Sequence, residues 1–242
     1  MTTTASTGIA REGRPAQAGP ALSLYAVADN VVDARSRSVT VESDGVALPG
    51  DLTIPELAVA VVVFAHGSGS SRRSPRNVWV AHRLHREGLG TLLFDLLTDA
   101  EAEDRQKAFD IDLLARRLGA AVGWARGRSE LDGLAKGLFG ASTGAAAALV
   151  VAARTPDVTA IVSRGGRPDL AGEALERVAA PTLLIVGGMD RQVLGLNRAA
   201  QARMRCETRL EIVPGATHLF EEPGALDRVA ELAAAWFTEH VA

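Results

Sequence analysis

From residue 36 onward the apolar and polar positions fall into two alternating periods. Val39 and Val41 alternate with polar neighbours over 38–43, Asp44-Gly45 supplies a tight turn, and 46–54 returns as the second arm of a hairpin. The run Ala58–Ala65 (AVAVVVFA) shows no polar alternation, the pattern of a strand covered on both faces. Ser74-Pro75 reads as an N-cap with proline at the first helical position, opening a helix to about Glu87. Thr91–Asp95 is a short buried strand. Ile111, Leu114, Leu118, Ala121, Val122 and Ala125 recur at helical spacing and predict an amphipathic helix over 109–127. Strands at 134–140, 157–163, 181–187 and 208–213 then alternate with helices at 143–154, 169–178, 192–204 and 223–240. An antiparallel start followed by strand–helix units predicts an α/β domain over 35–242: a mainly parallel twisted sheet of about eight strands with helices on both faces. Neither an internal repeat nor a second domain is visible. Residues 1–34 carry no apolar period and are expected to form a mobile extension, the alternative being an arm at Ala21–Val32 that packs on the domain.

Composition narrows the possibilities. Twenty-six Lys and Arg against 29 Asp and Glu give a net charge of −3, which argues against nucleic acid as partner. The longest apolar runs, Leu57–Ala65 and Ala145–Ala153, are about half the length of a membrane-spanning helix. The single cysteine, Cys206, excludes an internal disulfide and a cysteine-rich zinc site. The first residues have neither the basic nor the apolar region of a signal peptide, so a cytoplasmic location is expected. The oligomeric state is left open.

The chemistry begins at Phe139-Gly140-Ala141-Ser142-Thr143-Gly144, which follows an apolar strand and leads into an apolar helix. Gly-x-Ser-x-Gly in that context is a nucleophile elbow: the strand-to-helix turn leaves no room for side chains two residues either side, and it lifts the serine oxygen above the sheet edge. Serine needs a base, and the base an acid to orient it. Gly187-Gly188-Met189-Asp190 places an acid just past one strand end, and Pro214-Gly215-Ala216-Thr217-His218 places a histidine past the next, so Ser142, Asp190 and His218 converge on one sheet edge. The first buried strand ends in His66-Gly67-Ser68-Gly69-Ser70, a glycine-rich loop suited to an oxyanion hole. The expected donors are the N–H groups of Thr143 and Ser68, with Gly67 as the alternative.

Together these motifs resemble the α/β-hydrolase fold and, within it, the dienelactone-hydrolase-related group. The carrying residues are Phe64–Ser71, Gly140–Gly144, Gly188-Met189-Asp190 and Gly215–His218. Domains of this kind also occur fused to phosphoribosyltransferases. Dienelactone hydrolases carry cysteine at the elbow where this chain has Ser142, so the resemblance implies ester hydrolysis in general. Only 17 residues separate the strand ending near Ser163 from the next, too few for a lid, which favours small or accessible esters. The expected activity is a serine esterase with no metal or organic cofactor, acting on a small-molecule ester; an acyltransferase or an idle binding module on the same frame are the alternatives. Arg72, Arg73, Arg76, Arg164, Arg167 and Arg191 all map to the same edge. They pair with acids such as Asp95 and Asp169, or one of them, Arg164 first, faces the pocket and holds an anionic group of the substrate. His66 is a further candidate for substrate contact.

Overall fold

Eight strands share one sheet in a computed structural model that describes Met1 and residues 34–241. The expectations for residues 1–34, including the Ala21–Val32 arm, lie outside the described residues save for Met1 and Ala34. The strands are β1 (Ala34–Ser43), β2 (Val46–Pro55), β3 (Ala60–Ala65), β4 (Leu89–Phe94), β5 (Ala135–Ala141), β6 (Val158–Arg164), β7 (Thr182–Gly187) and β8 (Thr208–Val213). The helices are α1 (Pro75–Arg86), α2 (Asp99–Ala102), α3 (Arg105–Ala108), α4 (Ile111–Arg126), α5 (Thr143–Ala152), α6 (Arg191–Gln201) and α7 (Ala225–His240). The sheet order is β1-β2-β4-β3-β5-β6-β7-β8. β1 pairs antiparallel with β2 and β2 with β4, while all pairs from β4 through β8 are parallel.

This is the α/β-hydrolase arrangement predicted from the alternation of elements, and burial explains it. Every residue of β3, β4 and β7 is buried, because helices cover both faces of the parallel part of the sheet. Val61, Val63, Leu92 and Leu138 pack toward α4 and α5 on one face. Val62, Phe64, Phe139 and Val162 pack toward α1 and α7 on the other. α5 is buried along all ten residues, which is why it reads as a uniformly apolar run. No helix among the described residues is long and apolar enough to cross a membrane.

Three local differences from the predicted pattern have physical causes. β1 begins at Ala34 because its polar half pairs residue for residue with β2 as far as Pro55 while facing solvent on both sides. The expected helix after β6 is a pair of 3-10 turns over Pro168–Arg177, broken at Gly172, whose φ is +57°. The segment between β4 and α4 folds into the two short helices α2 and α3, nucleated by the capping box of Thr98 and Glu101 and by the cap of Asp104 on Gln106 N–H.

Candidate active site

The carboxyl ends of β3, β5, β6, β7 and β8 open onto one edge, where the sequence-predicted residues sit. Ser142 lies between β5 and α5 with φ +51° and ψ −119°, a conformation rare for a residue with a side chain. The flanking glycines make this turn possible. A Cβ on Gly140 would lie 2.4 Å from the Ala145 Cα, and one on Gly144 would lie 2.2 Å from the Ala65 carbonyl oxygen. Ser142 N–H donates to the Arg164 carbonyl at 3.2 Å and the Ser142 carbonyl accepts from Arg167 N–H at 3.1 Å, so the elbow is fastened to the end of β6.

Asp190 and His218 meet. His218 Nδ1 lies 2.7 Å from Asp190 Oδ2. The other carboxylate oxygen, Oδ1, accepts from Val193 N–H at the start of α6, so one side chain both caps a helix and orients the imidazole. The two loops are joined by their backbones: Met189 N–H donates to the Ala216 carbonyl at 2.9 Å, and Gly188 N–H to that of Val213 at 2.9 Å. The His218 side chain is 39% exposed and that of Asp190 14%, leaving the ring open on the solvent side. Its Cε1 approaches Gly165, which follows the carbonyl that holds Ser142.

The glycine-rich loop packs directly on the elbow, since a Cβ on Gly67 would lie 3.0 Å from that of Ser142. Thr143 occupies the first position of α5, where the helix leaves its N–H without an internal partner. Ser68 N–H is engaged, donating to Thr143 Oγ1 at 3.1 Å.

His66 is placed differently from the substrate contact expected. It is 5% exposed and spends both ring nitrogens on backbone. Leu96 N–H donates to Nε2 at 2.9 Å, which leaves the proton on Nδ1, 3.0 Å from the Gly67 carbonyl. Burial pushes its pKa below the usual histidine range and keeps the ring neutral. Arg164 is likewise buried. It follows Ala160 and Val162 onto the face covered by α1 and α7, is 7% exposed, and donates from Nη2 to Asn77 Oδ1 at 3.2 Å. Burial, with Arg76 nearby, lowers its pKa to about 10. The neighbouring arginines pair with acids: Arg72 with Asp95 and Asp51, Arg76 with Glu221, and Arg167 with Asp169. Cys206 is half-buried beside Thr182, with its thiol pKa raised by burial, remote in sequence and fold from the elbow. Among the described residues no group of three or more His, Cys, Asp and Glu is disposed to hold a metal.

Three participants were not anticipated. Asn77 anchors Arg164, the Thr143 hydroxyl anchors Ser68, and Arg117 ties Leu96 to Glu101. The Thr-x-x-Glu capping signature at Thr98 is the sequence signal that could have located Glu101.

With this geometry in place, comparison with known proteins is informative. A model of the dienelactone hydrolase family matches residues 48–240. The crystal structure of a dienelactone hydrolase from Anabaena variabilis is 52% identical, with a TM-score of 0.83 over 86% of this chain and 98% of that one. Est1E from Butyrivibrio proteoclasticus, solved with ferulic acid bound, shares the fold at 18% identity, with a TM-score of 0.73 over 84% of this chain and 99% of that one. A Mycobacterium tuberculosis protein named "Putative phosphoribosyl transferase Rv0571c" is 55% identical over 208 residues, which are 86% of this chain and 47% of that protein. The chain thus spans about half the length of that relative.

Proposed function

Because the chain belongs to the dienelactone hydrolase family, we propose that it is a serine hydrolase that cleaves small or accessible carboxylic esters, lactones or thioesters through an acyl-enzyme on Ser142. The observations that carry this reading are the 2.7 Å bond from His218 Nδ1 to Asp190 Oδ2 and a serine held at positive φ between β5 and α5. With Nδ1–H directed at the carboxylate, Nε2 is left as the basic nitrogen. It takes the Ser142 proton as Oγ attacks the carbonyl carbon. Thr143 N–H stabilises the oxyanion, and Ser68 N–H joins it by sharing or leaving Thr143 Oγ1. Collapse of the tetrahedral adduct expels the alcohol, which receives the proton from His218; water then repeats the sequence on the acyl-enzyme. The substrate enters as a small molecule and the scheme uses no cofactor. Arg164 enters as a support for the elbow, through its carbonyl, rather than as an anion contact.

A fluorophosphonate probe should label the wild-type protein at Ser142 and leave Ser142→Ala unlabelled. Ser142→Ala and His218→Ala should each lower turnover of a p-nitrophenyl acetate-type ester by about 10³-fold or more, and Asp190→Asn should be comparably severe. Cys206→Ser should turn over normally. Undiminished turnover by Ser142→Ala would refute the assignment.

A further inference from the structure

A line of hydrogen bonds runs from the interior of α4 to the residue after Ser142. Arg117 is 2% exposed, and its guanidinium forks onto Glu101: Nη1 donates to Oε2 at 2.6 Å and Nη2 to Oε1 at 2.9 Å. The same Nη1 donates to the Leu96 carbonyl at 2.8 Å, just past β4. On the opposite side of that residue, Leu96 N–H donates to His66 Nε2 and His66 Nδ1 donates to the Gly67 carbonyl. The next amide, Ser68 N–H, is held by Thr143 Oγ1.

Each link is of a type that fixes position. A bidentate guanidinium–carboxylate pair sets both distance and plane. A neutral imidazole with one accepting and one donating nitrogen has a single orientation that satisfies both partners. Glu101 is well held, with its pKa lowered to about 2, chiefly by Arg117 and further by Thr98. Lys107 adds a second cation at 3.3 Å. A small cavity borders the loop, lined by His66, Gly67, Ser68 and Gly69 together with Leu97 and Thr143.

We propose that Arg117, working with Glu101 through Leu96 and His66, is the remote positioning residue of the oxyanion loop. The inference rests on the hydrolase reading given above. It makes the α2–α3 segment part of the active-site architecture: Glu101 anchors that segment, and the same guanidinium holds the end of β4 against which His66 sets Gly67 and Ser68.

An oxyanion donor acts more strongly in the transition state than on the bound ester, so misplacing it lowers kcat and spares KM. The test is the double variant Arg117→Met/Glu101→Gln, which leaves no buried charge without its partner and so should remain folded. With active sites counted by burst titration, kcat per site should fall by about tenfold with KM changed less than about twofold. His66→Ala should lose about 10²-fold in kcat, the order of one oxyanion donor, and His66→Gln, which keeps one acceptor and one donor, should recover most of it. If the double variant does not fold, Arg117→Lys alone, which keeps a cation beside Glu101 but loses the two-pronged fork, decides by the same measure: a smaller fall in kcat per site at constant KM supports the inference, and an unchanged kcat overturns it. Ser142-dependent turnover with kcat per site unchanged in the folded double variant would overturn this inference alone. Turnover that survives Ser142→Ala would overturn the hydrolase reading and this inference with it.

Discussion

Ser142 sits at φ +51° and ψ −119°, where a residue bearing a Cβ carries strain of about 1–3 kcal/mol. The surroundings enforce it: α5 and the end of β3 approach so closely that Gly140 and Gly144 have no space for a methyl group. Stability and turnover should therefore separate at this residue. Ser142→Gly removes the nucleophile and relieves the backbone, so it should abolish turnover while unfolding at a higher urea concentration, by about 1 kcal/mol. Gly144→Ala should do the reverse in stability, costing about 3 kcal/mol or more because its methyl would press on backbone rather than on a movable side chain. A Ser142→Gly protein less stable than wild type would show that the elbow is not strained. Much of this was legible in the sequence, because the Gly-x-Ser-x-Gly spacing states the steric demand directly. The burial of Arg164 was legible too, in the strand alternation that aligns it with Ala160 and Val162. The role of His66 was not, since its partner Leu96 lies 30 residues away and becomes a neighbour only when β4 pairs with β3.

At the scale of elements, α1 shows how a helix can bury titratable groups at a cost that depends on pH. Its face toward the sheet carries Val80, Ala81 and Leu84, and His85 continues that face, with Nε2 2.8 Å from Thr91 Oγ1 on β4. Burial, together with the nearby His82, lowers the His85 pKa from 6.5 to about 4. The unfolded chain therefore takes up this proton first as pH falls. The contribution to stability is complete above 6.5 and is lost progressively down to about 4. Buried His66 acts in the same direction. Glu101, lowered from 4.5 to about 2, contributes stability above 4.5 that is lost between 4.5 and 2. Urea midpoints should thus decrease from pH 7 to pH 5, and His85→Gln should flatten part of that decrease; the same slope in the variant would contradict the assignment. The sequence showed α1 through its Ser-Pro cap, but α2 and α3, at four residues each, are too short to display a period. Their capping residues were the available signal, and they bear directly on the active site through Glu101.

At the scale of the whole molecule, the family match begins within β2 and ends within α7, so nearly all of the described structure is accounted for by one hydrolase sheet. The mycobacterial relative bears the name of a phosphoribosyl transferase, yet 208 residues of this chain correspond to only 47% of it. A name given to a longer protein can refer to chemistry in either portion. In this chain, Ser142 follows β5 and the bonded pair of Asp190 and His218 follows β7 and β8, and on the reading proposed above these groups suit attack on a carbonyl. The 242-residue chain should accordingly cleave activated esters in a Ser142-dependent manner and release no pyrophosphate from phosphoribosyl pyrophosphate offered with purine or pyrimidine bases and magnesium. Ester cleavage and pyrophosphate release measured on the same preparation separate the two activities. Pyrophosphate release that persists in Ser142→Ala would locate a second activity in this chain, and release that disappears with Ser142 would mean that the elbow serves a transfer reaction other than acyl transfer.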